Sequence, residues 1–356
     1  MEQSLIQLIA SLGLVFNPIA PPHLVNQVVI DQPEALTDRT QLVAQAQKVI
    51  NALPKFSLPI DCNFGQDCFV LLYSDRDPSP RFTDFGCGRM TYDGHSGTDF
   101  AIPDESAMAR GVPVLAAADG VVLRVRDGVI DRKSTNPEDP RTEGIECGNG
   151  LVIDHGNGWQ TQYCHLRQNS LQVDPGDRVK TGTKLGLVGQ SGAASFPHVH
   201  FQVNYNGAIV DPFLGPNAAQ GCQVSRQSMW QEPIAYDPTG IMQAGFTTKA
   251  PTMRDAEQGT ISDPAIAANA PALVFWARAY GVLESDIEQI RLIAPDGTVV
   301  TDSETPIKKS NRIWLSFTGK RGKSGQPFSK GTWRGEYELI RNGETVIDVE
   351  RSIQVR

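Results

Sequence analysis

Apolar and polar residues alternate with different periods along the chain, and the changes of period divide it. Leu5 to Ala20 is apolar enough for the hydrophobic part of an export signal. With Asn17 and Pro18 near its end, it is too short for a comfortable membrane span. No Lys or Arg precedes it and Glu2 does, so either an upstream start is missing or residues 1–20 are an atypical export signal. From Gln32 to Leu53 apolar residues recur at helical spacing (Leu36, Leu42, Val43, Ala46, Val49, Ile50) until Pro54, which predicts a helix. Pro59 to Arg81 reads as a short strand hairpin, so residues 21–83 form a helix-and-hairpin region. Between Asp84 and about Asp211 there is no helical period, only short β-branched runs separated by glycines. That pattern predicts a compact antiparallel sheet over residues 84–215. Residues 216–245, with Pro233, Pro238 and Gly240, read as a linker. Beyond it, Ala272–Tyr280, Glu288–Ile293, Arg312–Phe317, Gly335–Ile340 and Glu344–Ile347 alternate between turn signals such as Pro295-Asp296-Gly297. These predict an immunoglobulin-like β-sandwich over residues 246–356. The expected fold class is therefore mainly β, with a short helical segment at the amino end.

Composition changes this picture in two ways. A chain of 356 residues, 40% of them hydrophobic, can bury two cores. Its net charge of -8, with no basic cluster, argues against nucleic acid as a partner. The six cysteines (Cys62, Cys68, Cys87, Cys147, Cys164, Cys222) are even in number and none has the CxxC spacing of a structural zinc site. A disulfide framework formed in an oxidising compartment is favoured over buried thiols or a second metal site, and it points to export. Cys62 and Cys68 can close a local loop; the other four allow three pairings. No stretch after residue 20 could cross a membrane.

The candidate chemistry lies in the histidines. His95-Ser-Gly-Thr-Asp99 and, far along the chain, Pro197-His198-Val199-His200 place three of the six histidines and one aspartate at metal-site spacing. In a strand, side chains alternate faces, so His198 and His200 point one way and Val199 the other. Two imidazoles and a carboxylate with one open position make the ligand set of a hydrolytic zinc site. Thr161 to Leu166 reads as a further strand, with Tyr163 and His165 on one face and Cys164 on the other, away from the metal. Spare imidazoles beside a metal-bound water suit proton transfer and transition-state hydrogen bonding.

These motifs resemble those of the M23 (lysostaphin/LytM-like) zinc metallopeptidases. The resemblance runs from about Asp84 to Phe213 and also rests on Gly111-Val-Pro-Val-Leu-Ala-Ala117, Asp119-Gly-Val-Val122 and Gly150-Leu-Val-Ile-Asp-His-Gly156. Tyr163-Cys-His-Leu166, Gly182-Thr-Lys-Leu-Gly186, Ser191-Gly192 and Asp211-Pro-Phe213 complete it. It implies zinc bound by His95, Asp99 and His200, with His165 and His198 assisting catalysis. It also implies a metalloendopeptidase acting on the peptide cross-links of bacterial peptidoglycan, in the periplasm or secreted. The departure from the pattern is a long insertion from Asp127 to Glu146, expected to shape the groove.

Two other classes compete. A non-catalytic LytM-like regulator that activates a cell-wall amidase would usually lack ligands, and this chain has the full set. A binding or carrier module, suggested by the sandwich and by the barrel-like turn around Lys180, leaves the histidines unexplained. His155 sits at an Asn-Gly type turn and reads as structural. His23 has no partner in sequence. Trp276 and Trp314 read as core rather than ligand platforms.

Overall fold

A computed structural model describes residues 53–134 and 139–356. The apolar run Leu5–Ala20, the helix expected from Gln32, and His23 lie outside the described residues. The described residues up to Val210 contain ten strands: β1 (Phe69–Leu72), β2 (Thr98–Ala101), β3 (Pro113–Leu115), β4 (Gly120–Arg126), β5 (Asn149–Gly156), β6 (Trp159–Leu166), β7 (Arg178–Val179), β8 (Lys184–Leu187), β9 (His198–Tyr205) and β10 (Ala208–Val210). All but β3 and β8, which pair with each other, join one antiparallel sheet in the order β1-β2-β9-β6-β5-β4-β7, with β10 on β9. Short β-branched and aromatic runs ended by glycine turns suit strands rather than helices, and among the described residues up to Val210 only Glu105–Arg110 forms an α-helix, a short one.

Alternation along β9 decides which face is which. Val199, Phe201 and Val203 are fully buried and pack against an aromatic layer, while His198, His200 and Gln202 line the opposite face. Phe201 meets Phe56, Tyr163 and Trp230 at ring-centroid distances of 5.8, 5.4 and 5.6 Å. Such contacts each add about 0.5–1.5 kcal/mol beyond area burial, so the floor beneath the histidine face is stiff.

The carboxy-terminal residues form two packed sheets. One has the order β11 (Gly240–Thr247), β12 (Ala272–Val282), β15 (Asn311–Arg321). The other runs β14 (Val299–Pro306), β13 (Ile287–Ile293), β16 (Gly331–Arg341), β17 (Glu344–Val355). Phe275, Leu292, Tyr337 and Leu339 meet between them. A seven-stranded sandwich of three strands on four accords with the expected immunoglobulin-like architecture. Trp276 points to the other face of β12, buried with Ala256 and Ile261, and Trp314 donates to Glu288, so both serve packing. The stretch read as a linker ends earlier than expected: from Gly240 it is the first sandwich strand, because Gly240–Thr247 pairs along β12. Residues 54–356 constitute one unit.

All six cysteines are paired, as Cys62–Cys68, Cys87–Cys222 and Cys147–Cys164. The disulfide framework expected from the even count is thus present, and Cys62–Cys68 closes the local loop.

Candidate active site

The centre is assembled from two neighbouring strands. Asp99 on β2 lies directly opposite His200 on β9, and cross-strand partners of this kind have side chains within reach. His95 precedes β2 and is fixed by backbone bonds to Tyr92 and Asp75. His95 Nε2 lies 3.1 Å from Asp99 Oδ1 and 3.2 Å from His200 Nδ1, and the latter two are 2.9 Å apart. All three residues are buried. Gly97 makes the approach feasible, since a Cβ there would sit 2.6 Å from both His200 Nε2 and the Phe201 carbonyl oxygen.

Hydrogen-bond partners settle the tautomers. A carbonyl oxygen only accepts, so His95 Nδ1–H donates to Tyr73 O at 2.7 Å and its Nε2 turns a lone pair inward. His165 Nδ1–H donates to Ser191 O and His198 Nδ1–H to Phe196 O, both at 2.8 Å. Their Nε2 atoms are therefore acceptors as well; that of His198 lies 3.5 Å from Asp99 Oδ1. A lone pair and a carboxylate facing each other about 3 Å apart in a buried site call for a cation. The three separations also match the edge of a tetrahedron with bonds of about 2.0 Å, roughly 3.3 Å. The donor set fits zinc.

Electrostatics agree with this division of labour. Burial pushes the Asp99 carboxyl up, but the surrounding imidazoles of His95, His198 and His200 outweigh it and hold it well below the usual range, so Asp99 faces those rings as a carboxylate. Burial, reinforced by neighbouring His198 and His200, holds His165 well below the ordinary imidazole value. His198 is also lowered, chiefly by burial, with Asp99 pulling the other way.

One expectation fails in an informative way. Cys164 does not face away from the centre. His165 has φ +63°, and the β5–β6 ladder skips between Asn149 and Leu151, so β6 carries a bulge at Cys164-His165. The bulge interrupts alternation and brings both side chains to the histidine face, while Tyr163 points into the core and bonds Ala117 N. The His165 ring thereby lies tilted 4.6 Å from that of His198 and edge-on 6.0 Å from that of His200, centroid to centroid. The cleft over the centre, about 300 Å³, is lined by Tyr92, Glu146, Cys147, Gln162, Cys164 and His165 among others. A second hollow of about 320 Å³ shares Cys147 and Gln162 with it and runs over Gly148 and Gly150 to Arg124 and Arg126. Glu146 brings the end of the insertion to the cleft.

His155 stays outside this cluster, with Nδ1 on Asp119 O at 2.7 Å and Nε2 on Thr161 Oγ1 at 2.8 Å. Lys180 forms an exposed ion pair with Asp119. The groups that sequence reasoning missed are the orienting carbonyls of Tyr73, Phe196 and Ser191. Backbone oxygens carry no side-chain signature; only the Ser191-Gly192 pair hinted at one.

Comparison with known proteins places this site in context. Residues 93–212 match the model of peptidase family M23. The peptidoglycan DD-endopeptidase ShyA of Vibrio cholerae is 32% identical over 137 residues, which is 38% of this chain and 26% of that protein. The DD-carboxypeptidase/endopeptidase Mpg of Neisseria meningitidis is 34% identical over 119 residues, 33% of this chain and 22% of that protein. The chain thus spans about a quarter of the length of these curated relatives. Among solved structures, the catalytic domain of the prophage-encoded M23 protein EnpA from Enterococcus faecalis is 27% identical. It covers 39% of this chain and 95% of that one, with a TM-score of 0.27. The M23 resemblance read from the motifs is borne out over residues 93–212.

Proposed function

We propose that this protein is a zinc-dependent endopeptidase that cleaves peptide cross-links of bacterial peptidoglycan. The observation carrying this reading is the convergence of His95, Asp99 and His200 to within 3.2 Å, with the rings of His198 and His165 beside them. His95, Asp99 and His200 would hold the ion. Zinc, when bound, would supply a water of lowered pKa and polarise the scissile carbonyl.

His165 and His198 arrive neutral, each anchored through Nδ1–H to a carbonyl. Either Nε2 can take the proton of an attacking water. Once protonated, the same atom donates to the developing oxyanion or passes its proton to the leaving amine. The anchors keep both rings in the one tautomer that allows this. The bound peptide would cross Gln162 and Cys147, and Arg124, which makes no ion pair among the described residues, suits a carboxylate on it. Relatives named as peptidoglycan DD-endopeptidases support the substrate class. An enzyme of this kind works in the periplasm or outside the cell, and three disulfides suit such a compartment.

The test uses purified protein on isolated peptidoglycan. New amino groups on released wall peptides, lost with a chelator, are the expected result. His95→Ala, Asp99→Ala or His200→Ala should abolish bound metal, whereas His155→Ala should keep it. A fully metallated protein that releases no fragments from any wall type, yet stimulates a separate amidase, would favour a regulator instead.

A further inference from the structure

The ligand residues and His165 are held by different means. Asp99 and His200 sit within continuous ladder pairing between β2 and β9. His165 does not. The β6–β9 ladder ends at Cys164↔His200, and on the other side β5 skips from Leu151, opposite Tyr163, to Asn149, opposite Leu166. His165 therefore has no ladder partner, and its left-handed φ of +63° is one a side chain with a Cβ adopts only under constraint.

The constraint comes from three segments that clamp one another. The His165 N–H donates to Cys147 O at 2.8 Å, and Cys147 is cross-linked to Cys164, the residue just before His165. The His165 ring donates to Ser191 O at 2.8 Å. Ser191 Oγ donates to Leu166 O at 2.7 Å and accepts from Asn149 N at 2.9 Å. Gly148 and Gly192 let these backbones touch: a Cβ on Gly148 would lie 2.4 Å from Ser191, and one on Gly192 2.3 Å from Glu146 O. Within this clamp the cross-link is the covalent member, and it spans the place where the ladder is missing.

We propose that the Cys147–Cys164 disulfide is a positioning device for His165: it holds the bulge that turns the His165 ring to the metal centre, and leaves the metal ligands unaffected. Cys147 and Cys164 are positioning residues. The consequence for turnover rests on the peptidase reading above; the consequence for the ring does not.

The experiment compares full-length wild type with the double variant Cys147→Ser/Cys164→Ser, the other two disulfides intact. Metal content and circular dichroism should match wild type. In the metal-free protein, the hydrogen-bonded Nδ1–H proton signal of His165 should be lost or broadened by NMR, while those of His95 and His198 persist. Release of peptides from isolated peptidoglycan should fall about ten- to hundred-fold in kcat with little change in KM, the scale of a misplaced reacting group. In a His165→Ala background the same double change should cost no more than two-fold, because the two act as one unit.

An unchanged His165 signal, loss of metal, or a full additional loss in the His165→Ala background would each overturn the proposal. If the double variant does not fold, the folded wild type can be reduced mildly, with alkylation of Cys147 followed by mass spectrometry and the same NMR signal read out. Persistence of that signal after alkylation refutes the idea. If wild type cleaves no peptidoglycan, the enzyme reading fails and the NMR arm still decides the positioning claim.

Discussion

Gly97 carries as much of the site as His95 and Asp99 on either side of it. Its missing side chain is the space into which His200 Nε2 fits, so Gly97→Ala must push either that ring or the Phe201 carbonyl away. The expected outcome is metal affinity reduced at least ten-fold with a folded protein, checked by competition against a chelator of known affinity; an unchanged affinity would show that β9 yields freely. Asp211 poses a different residue-scale question. Its Oδ1 accepts from Phe213 N at 2.9 Å, its Oδ2 is buried without a partner, and burial pushes the carboxyl up to about 6. Between the ordinary value of 3.8 and about 6, the folded chain holds a proton that the unfolded chain releases. Stability therefore falls as pH rises through that window and levels off above it, by at most roughly 3 kcal/mol. Urea midpoints from pH 4 to 7 should show this fall in wild type and lose it in Asp211→Asn, relative to wild type at each pH. A slope equal in both would assign the effect to other carboxylates.

Elements show why some of the site was legible and some was not. The spacing of His198 and His200 on β9 forecast their common face because alternation holds wherever both neighbours pair, and β9 is central in the sheet. The pairing of Asp99 with His200 was legible only as convergence, since register is a long-range property. On β6 the same rule put His165 on the histidine face correctly but misplaced both Tyr163 and Cys164, because a bulge adds a residue without leaving a sequence mark at a histidine. The glycines at 148 and 150 on the facing segment were the accessible hint. Alternation predicts the sandwich, yet its first strand reads as linker, as Pro238 and Gly240 mask the onset of β11. The element-scale prediction concerns the two anchored rings. His165→Ala and His198→Ala should each retain zinc by elemental analysis and slow cross-link cleavage by about 10²-fold or more. Retained activity in either variant would remove that ring from the proton path.

At the scale of the whole molecule, the sandwich bears on the loop that follows β2 and so on the strand that carries Asp99. Arg278, buried on β12, donates to Pro103 O at 3.1 Å and to Gln243 Oε1 at 3.3 Å. Burial lowers its pKa while Glu257 and Asp104 pull the other way. Lys133 in the insertion pairs with Glu257 at 2.6 Å, Ser106 donates to Gln258 O at 2.9 Å, and Tyr280 stacks on Phe69 with centroids 5.4 Å apart. None of this was legible beforehand, because all but the Arg278–Gln243 pair join residues more than a hundred apart, and two of the acceptors are backbone oxygens. A joint so composed should make residues 54–356 unfold together. Hydrogen exchange on amides of β9 and of β16 should then report the same opening free energy in metal-free protein. Zinc at a hundred times its Kd adds about 2.7 kcal/mol to whatever unit binds it. Both strands should therefore gain that amount, although β16 lies in the sandwich and the ligands do not. Arg278→Ala, which removes hydrogen bonds from a buried charge, should lower both by about 2 kcal/mol. A gain confined to β9 would mean that the sandwich opens independently, and that its contact with the Pro103 loop transmits nothing to the metal centre.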